Sequence, residues 1–258
     1  MRLVLSFGMI GPVVHGITLQ EYCDLPREDT PMTLHIVLLP VNEPNTLVWI
    51  AETLFPFGAG SVAAIEKITY IESHSLACSS WGNYGLTLRD ELARRIGSDE
   101  FDLSSPDRVV ESLRGFCGAM ISVVRPNPSQ PSSSAAVLLA TFLGGVPRLY
   151  WGQVSVPPVA SELEMGNCLG DEINPAKVFV DYYYERSGRT VEEALSFGIH
   201  AMRLAHEMKR SYIGEPDAWV YRDGLFRRLT SAEMARYKAT SEAIDASILQ
   251  KRALQLGG

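Results

Sequence analysis

"PMTLHIVLLP", residues Pro31 to Pro40, is an apolar run led by one threonine and closed at each end by proline. The run alternates just enough to be a strand. Thr33 heads that strand. It is either a β-branched residue of ordinary strand propensity or a hydroxyl placed for chemistry.

Two more strand candidates follow, "TLVWIAETL" and "KITYIESHSLACSS", set apart by the turn formers "VNEPN" and "FPFGAGS". Leu86, Leu88, Leu92 and Ile96 form an apolar stripe that predicts a helix over roughly 80–96. A second helix opens with Ser105 as N-cap, Pro106 at its first position and Asp107 in its first turn. The polar stretch "NPSQPSSS" reads as a surface loop. Beyond it, "AAVLLATFLGG" and "PRLYWGQVSV" read as strands joined by a Gly-Gly turn.

"NPAKVFVDYYYERSG" predicts a helix stopped at Gly188. "TVEEALSFGIHAMRLAHEM" predicts another, opened by Thr190 and Glu193 in capping-box register. "DAWVYRDGLFRRL" is a hairpin on an Asp-Gly turn, and a last helix opens with Thr230 and Glu233 as a second capping box. Strands thus come in blocks and helices in pairs, which excludes alternating βαβ units and a doubly wound parallel sheet. The expected class is α+β: a four-layer αββα sandwich of two stacked antiparallel sheets covered by helix pairs, one domain over 1–258.

The chain has 258 residues, 46% hydrophobic and 21% charged, with a net charge of -7 spread along its length. Nucleic acid is not an expected partner, because a phosphate-binding surface needs clustered Lys and Arg. Cys23, Cys78, Cys117 and Cys168 lie far apart and form no zinc spacing, so reduced thiols in the cytoplasm are the expectation. No apolar run approaches the ~18 residues of a membrane span, and the N-terminus lacks a clear cleavage signal. His200 and His206 are six apart and do not share a helix face as metal ligands would. Cys78 with His74 nearby is a candidate thiol nucleophile, set against tight packing of small residues after a strand.

Three ordered patterns resemble the proteasome β-subunit family of N-terminal-nucleophile (Ntn) hydrolases. They are Lys67–Ile96, beginning "KITY"; "RTVEEALSFGIHAMRLAHEM"; and the hairpin "EPDAWVYRDGLFRRL". The resemblance spans about Thr33 to Leu229. It implies Thr33 as nucleophile, its own freed α-amine as base, Lys67 as the lysine that lowers that amine's pKa, and Glu52 as the carboxylate that orients Lys67. It further implies proteolysis of a peptide or protein substrate and self-assembly or assembly with other proteasome-like subunits; whether an ATPase partner feeds the particle stays open, and no cofactor is expected. The core would then be 33–258, with 1–32 a propeptide or N-terminal extension.

Several positions depart from the family pattern. Glu52 stands for its Asp, Leu54 for its Arg, and "MGNCLG" for its Gly-Ser-Gly segment. Its Asp before the late helix falls at Ser187 or Gly188, and Met32 replaces the glycine of self-processing subunits. Met32 as the true start would instead expose Thr33 by initiator removal. Lys67 as a solvated strand end and Glu52 as a surface carboxylate are the plain alternatives. At the level of function the alternatives are a catalytically inactive structural subunit or pseudoenzyme scaffold, and an amidase for a small molecule.

Overall fold

In chain order the strands are β1 (Leu34–Leu38), β2 (Leu47–Glu52), β3 (Leu54–Pro56), β4 (Val62–Ala64), β5 (Thr69–Ile71) and β6 (Leu76–Gly82). They continue with β7 (Ala135–Thr141), β8 (Arg148–Gln153), β9 (Val159–Leu163), β10 (Asn167–Gly170), β11 (Pro216–Arg222) and β12 (Leu225–Arg228). Helices α1 (Gly85–Gly97), α2 (Pro106–Val124), α3 (Val191–Met208) and α4 (Ser231–Leu256) are described from end to end. The structure, a computed structural model, describes residues 33–56, 62–82, 84–124, 135–163, 167–170, 176–177, 179–180, 183–184, 190–208 and 213–256. The extension before Thr33, the "NPSQPSSS" loop, Ser187 and Gly188 lie outside them.

The strands form two five-stranded antiparallel sheets, β10-β1-β2-β11-β12 and β5-β6-β7-β8-β9, with β3 and β4 as a separate ribbon. The class is therefore α+β, as the blocked order of elements requires. Successive side chains of a strand face opposite ways, and β1 uses both faces. Leu34, Ile36 and Leu38 share a core with Ile199 and Met202 of α3. Val37 joins Trp49 in another core with Ala77, Leu138 and Leu149 of the second sheet. A third core joins that sheet's Leu76, Val137 and Tyr150 to Leu88 of α1 and Leu113 of α2. Each fully buried large aliphatic or aromatic residue contributes roughly 1.5–3 kcal/mol, so these three clusters hold the sheets in place.

Both capping boxes form. Thr190 accepts at Oγ1 from Glu193 N–H while Glu193 accepts from Thr190 N–H, and Thr230 with Glu233 repeats the exchange. In the Asp-Gly turn both Asp223 (φ 54°) and Gly224 (φ 80°) are left-handed, as a two-residue hairpin needs.

Two expectations are corrected, and one element is new. The helix expected from Ser80 starts at Gly85, because Ser80, Trp81 and Gly82 extend β6 by pairing with Val137, Ala136 and Ala135. Tyr84, at φ 64°, then turns the chain into α1. "TLVWIAETL" divides at Thr53 into β2 and β3. The last four residues of "MGNCLG", assigned no element from the sequence, form β10, paired with β1 on the side away from β2.

Candidate active site

Glu52 ends β2, and β1 and β2 are antiparallel, with His35 opposite Ala51. Thr33, two residues before His35, therefore sits at the same end of the sheet as Glu52. It directly precedes β1 rather than lying within it, and it is half-buried. Glu52 is wholly buried, so the surface alternative for it does not hold. Its Oε2 accepts from Leu54 N–H (2.7 Å) and from Gly214 N–H (3.1 Å), and its Oε1 pairs with Lys67 Nζ. A lone buried carboxylate would cost several kcal/mol, and three donors offset that cost here.

Lys67 is 6% exposed, so it is not a solvated strand end. It lies in the connection between β4 and β5, where no ladder fixes it. Side chains do so instead. Arg89 Nη1–H donates to Glu66 O (2.5 Å), and Ser79 Oγ–H donates to Lys67 O (2.7 Å). Burial pulls the Lys67 ammonium down to about 7.

His35 is the residue that the pattern reading missed. It is wholly buried within the apolar run of β1. Trp49 Nε1–H points to its Nδ1 (3.4 Å), while its Nε2 lies 3.1 Å from Ser79 Oγ and 3.3 Å from Ser80 O. The indole can only donate and the Ser80 carbonyl only accept, so the ring is neutral with its proton on Nε2. Burial first, then the nearby Lys67 charge, lowers its pKa to about 3.

The unfolded chain regains an ordinary histidine near 6.5. Between pH 6.5 and 3 it binds a proton that the native state does not, so stability falls as pH falls. The loss expected by pH 5 is about 2 kcal/mol. Urea denaturation at pH 7 and pH 5 checks this: His35→Gln should remove most of the difference, whereas an unchanged difference would mean His35 plays no part in it.

Other groups sort away from chemistry. Cys78 is buried among α1 and α2 side chains, and burial pushes its thiol up to about 12. His74 is instead at the surface, bound to Ser73 and Asp99, so the two do not form a thiol site. His200, Ser241 and Arg203 form a buried clasp between α3 and α4, with Ser241 accepting from Arg203 Nε–H. His206 binds Ile213 O, away from it. A depression edged by Glu43, Thr46, Gly145 and Arg222 lies at the β1–β2 turn, the end of the strands opposite Glu52, and there Glu43 pairs with Arg222. Among the described residues no cluster has a metal-binding ligand set, and no helix is long and apolar enough to cross a membrane.

Comparison with solved structures bears on the fold that carries these residues. The fold is similar to that of Anbu. An Anbu (Gly-1) mutant from Hyphomicrobium sp. strain MC1 superposes with TM-score 0.66 at 14% identity, covering 86% of this chain and 96% of that one. Anbu (ancestral beta-subunit) from Yersinia bercovieri gives 0.66 at 13% identity, with the same coverage. A further Anbu structure from the Hyphomicrobium strain gives 0.64 at 14%, covering 86% and 97%. No family model matches the chain, and no curated protein matches it.

These likenesses correct the resemblance to the proteasome β-subunit family. The matched structures belong to Anbu, a proteasome-like but distinct family, and identities this low carry the fold alone. What stands is the proteasome-like fold that this chain shares with the Anbu structures.

Proposed function

We propose that the protein is an amide hydrolase of the N-terminal-nucleophile type, with Thr33 as nucleophile and peptides or proteins as substrate. The observation that carries this reading is the buried Lys67–Glu52 pair at the end of β2, beside the head of β1 where Thr33 stands. A threonine hydroxyl is a weak nucleophile; a free α-amine beside it takes its proton. Thr33 Oγ then attacks the amide carbon, the departing amine takes up the proton, and water hydrolyses the resulting ester. The Lys67 ammonium lowers the amine's pKa and stabilises the oxyanion, and Glu52 holds Lys67 in place.

The reading requires removal of residues 1–32 and includes the four-layer αββα packing, which the three separate cores support. It also includes self-assembly that encloses the sites, fed by an ATPase partner, in the cytoplasm. Mass spectrometry of the purified protein is the test. The expected result is a chain starting at Thr33 that forms a covalent adduct there with an epoxyketone, in particles larger than one chain. A chain that retains Met1 and is inert to the reagent overturns the hydrolase.

The second reading is a catalytically inactive scaffold of the same fold. Met32 before Thr33 and Leu54 in place of an arginine favour it, and the overturning result above would establish it.

A further inference from the structure

We infer that Ser79 and His35 are positioning residues for Lys67, a polar strut through the contact between the two sheets that sets where the ammonium sits. The inference rests on the proposed role of Lys67 in amide hydrolysis, and its geometry stands without that role. Lys67 lies in a connection with no ladder bond of its own; Arg89 holds the preceding carbonyl, and the Ser79 Oγ–H bond holds the carbonyl of Lys67 itself. A serine hydroxyl donates only one proton. Since Lys67 O receives that proton, Ser79 Oγ faces His35 Nε2–H as an acceptor, and Trp49 Nε1–H closes the row on the far side of the ring.

The row therefore has one self-consistent direction, Trp49 to His35 to Ser79 to the Lys67 carbonyl. It joins β2 and β1 of one sheet to β6 of the other. Trp49, His35 and Ser79 are each wholly buried among apolar residues, where an unmade hydrogen bond costs far more than in water. That same environment excludes water as a replacement donor. The His35 pKa of about 3 keeps the ring neutral across the physiological range, so the direction of the row does not change with pH there. Glu52 orients the tip of the Lys67 side chain, and the strut fixes its root. Both ends are needed to hold a four-carbon stem at one place.

The test follows the Lys67 titration by NMR in lysine-labelled protein, alongside kcat and KM for peptide hydrolysis. Ser79→Ala should move the Lys67 midpoint by about half a pH unit or more, because the amine is no longer held against Glu52. It should lower kcat about tenfold with KM unchanged. His35→Leu should do the same, and His35→Gln, which keeps a donor at the Nε2 position, should restore both. Ser79→Cys, similar in size and a poor donor, replaces Ser79→Ala if the latter does not fold.

Folded variants whose Lys67 midpoint and kcat both equal the wild type overturn the strut and leave the hydrolase standing. A wild-type protein that hydrolyses nothing, with a midpoint that still moves in Ser79→Ala, supports the strut and removes the hydrolase.

Discussion

Lys67→Met is expected to lower stability by about 3–5 kcal/mol and to reduce hydrolysis about 10²–10³-fold. Methionine keeps the apolar stem but deletes the ammonium, leaving the Glu52 carboxylate buried with only Leu54 N–H and Gly214 N–H as donors. Most of the stability loss is the penalty of an unpaired buried charge, not the worth of the pair itself. The double variant Glu52→Gln, Lys67→Met separates the two effects. Glutamine can present its amide oxygen to the same two backbone donors without a charge, so the double variant should regain most of the stability and none of the activity. Urea denaturation at constant m-value measures the first, and peptide hydrolysis the second. A single variant as stable as the wild type would mean that water or another cation neutralises Glu52.

Gly214→Ala should be nearly as damaging, although no catalytic role falls on residue 214. A methyl carbon added there would stand 2.2 Å from Leu54 N and 2.7 Å from Thr53 N. Both are backbone atoms, so no side-chain rotation relieves the clash, and the segment after β2 must move. That movement breaks the two N–H bonds to Glu52 Oε2 together, which loosens the carboxylate that holds Lys67. The expected destabilisation is about 3 kcal/mol or more, with loss of hydrolysis. Gly115→Ala in α2 is the matched control. Nothing lies within 4 Å of its added carbon, and alanine favours the helix by roughly 0.5–1 kcal/mol. The same chemical change should therefore act with opposite sign at the two glycines. Equal effects would show that the 214 segment yields easily and that the Glu52 cradle is not built on close approach.

The periodic parts of the structure are legible in the sequence. Ser105-Pro106, the two Thr-x-x-Glu capping boxes and the Asp-Gly turn each mark an element end by local chemistry, and each element begins or turns where they stand. Local signals failed where a distant strand competed. Ser80 to Gly82 carry helix-compatible residues but add rungs to β7, 55 residues away in the case of Trp81 and Ala136. Asn167 to Gly170 carry no strand pattern, and the free side of β1 recruits them. The resemblance implies Glu52 and Lys67, but their burial is not readable from local sequence, since a charged residue is exposed by default and only a partner makes burial tolerable.

Composition, caps and turn residues thus determined the class, the order of elements and most of their ends, because those depend on contacts a few residues apart. The frame shared with Anbu and the seating of the carboxylate against Gly214 came only from the folded chain. So did the row that links the indole, the imidazole and the hydroxyl to the lysine carbonyl. These join residues from 12 to 162 positions apart, and no spacing along a chain encodes which of its distant donors will meet which acceptors.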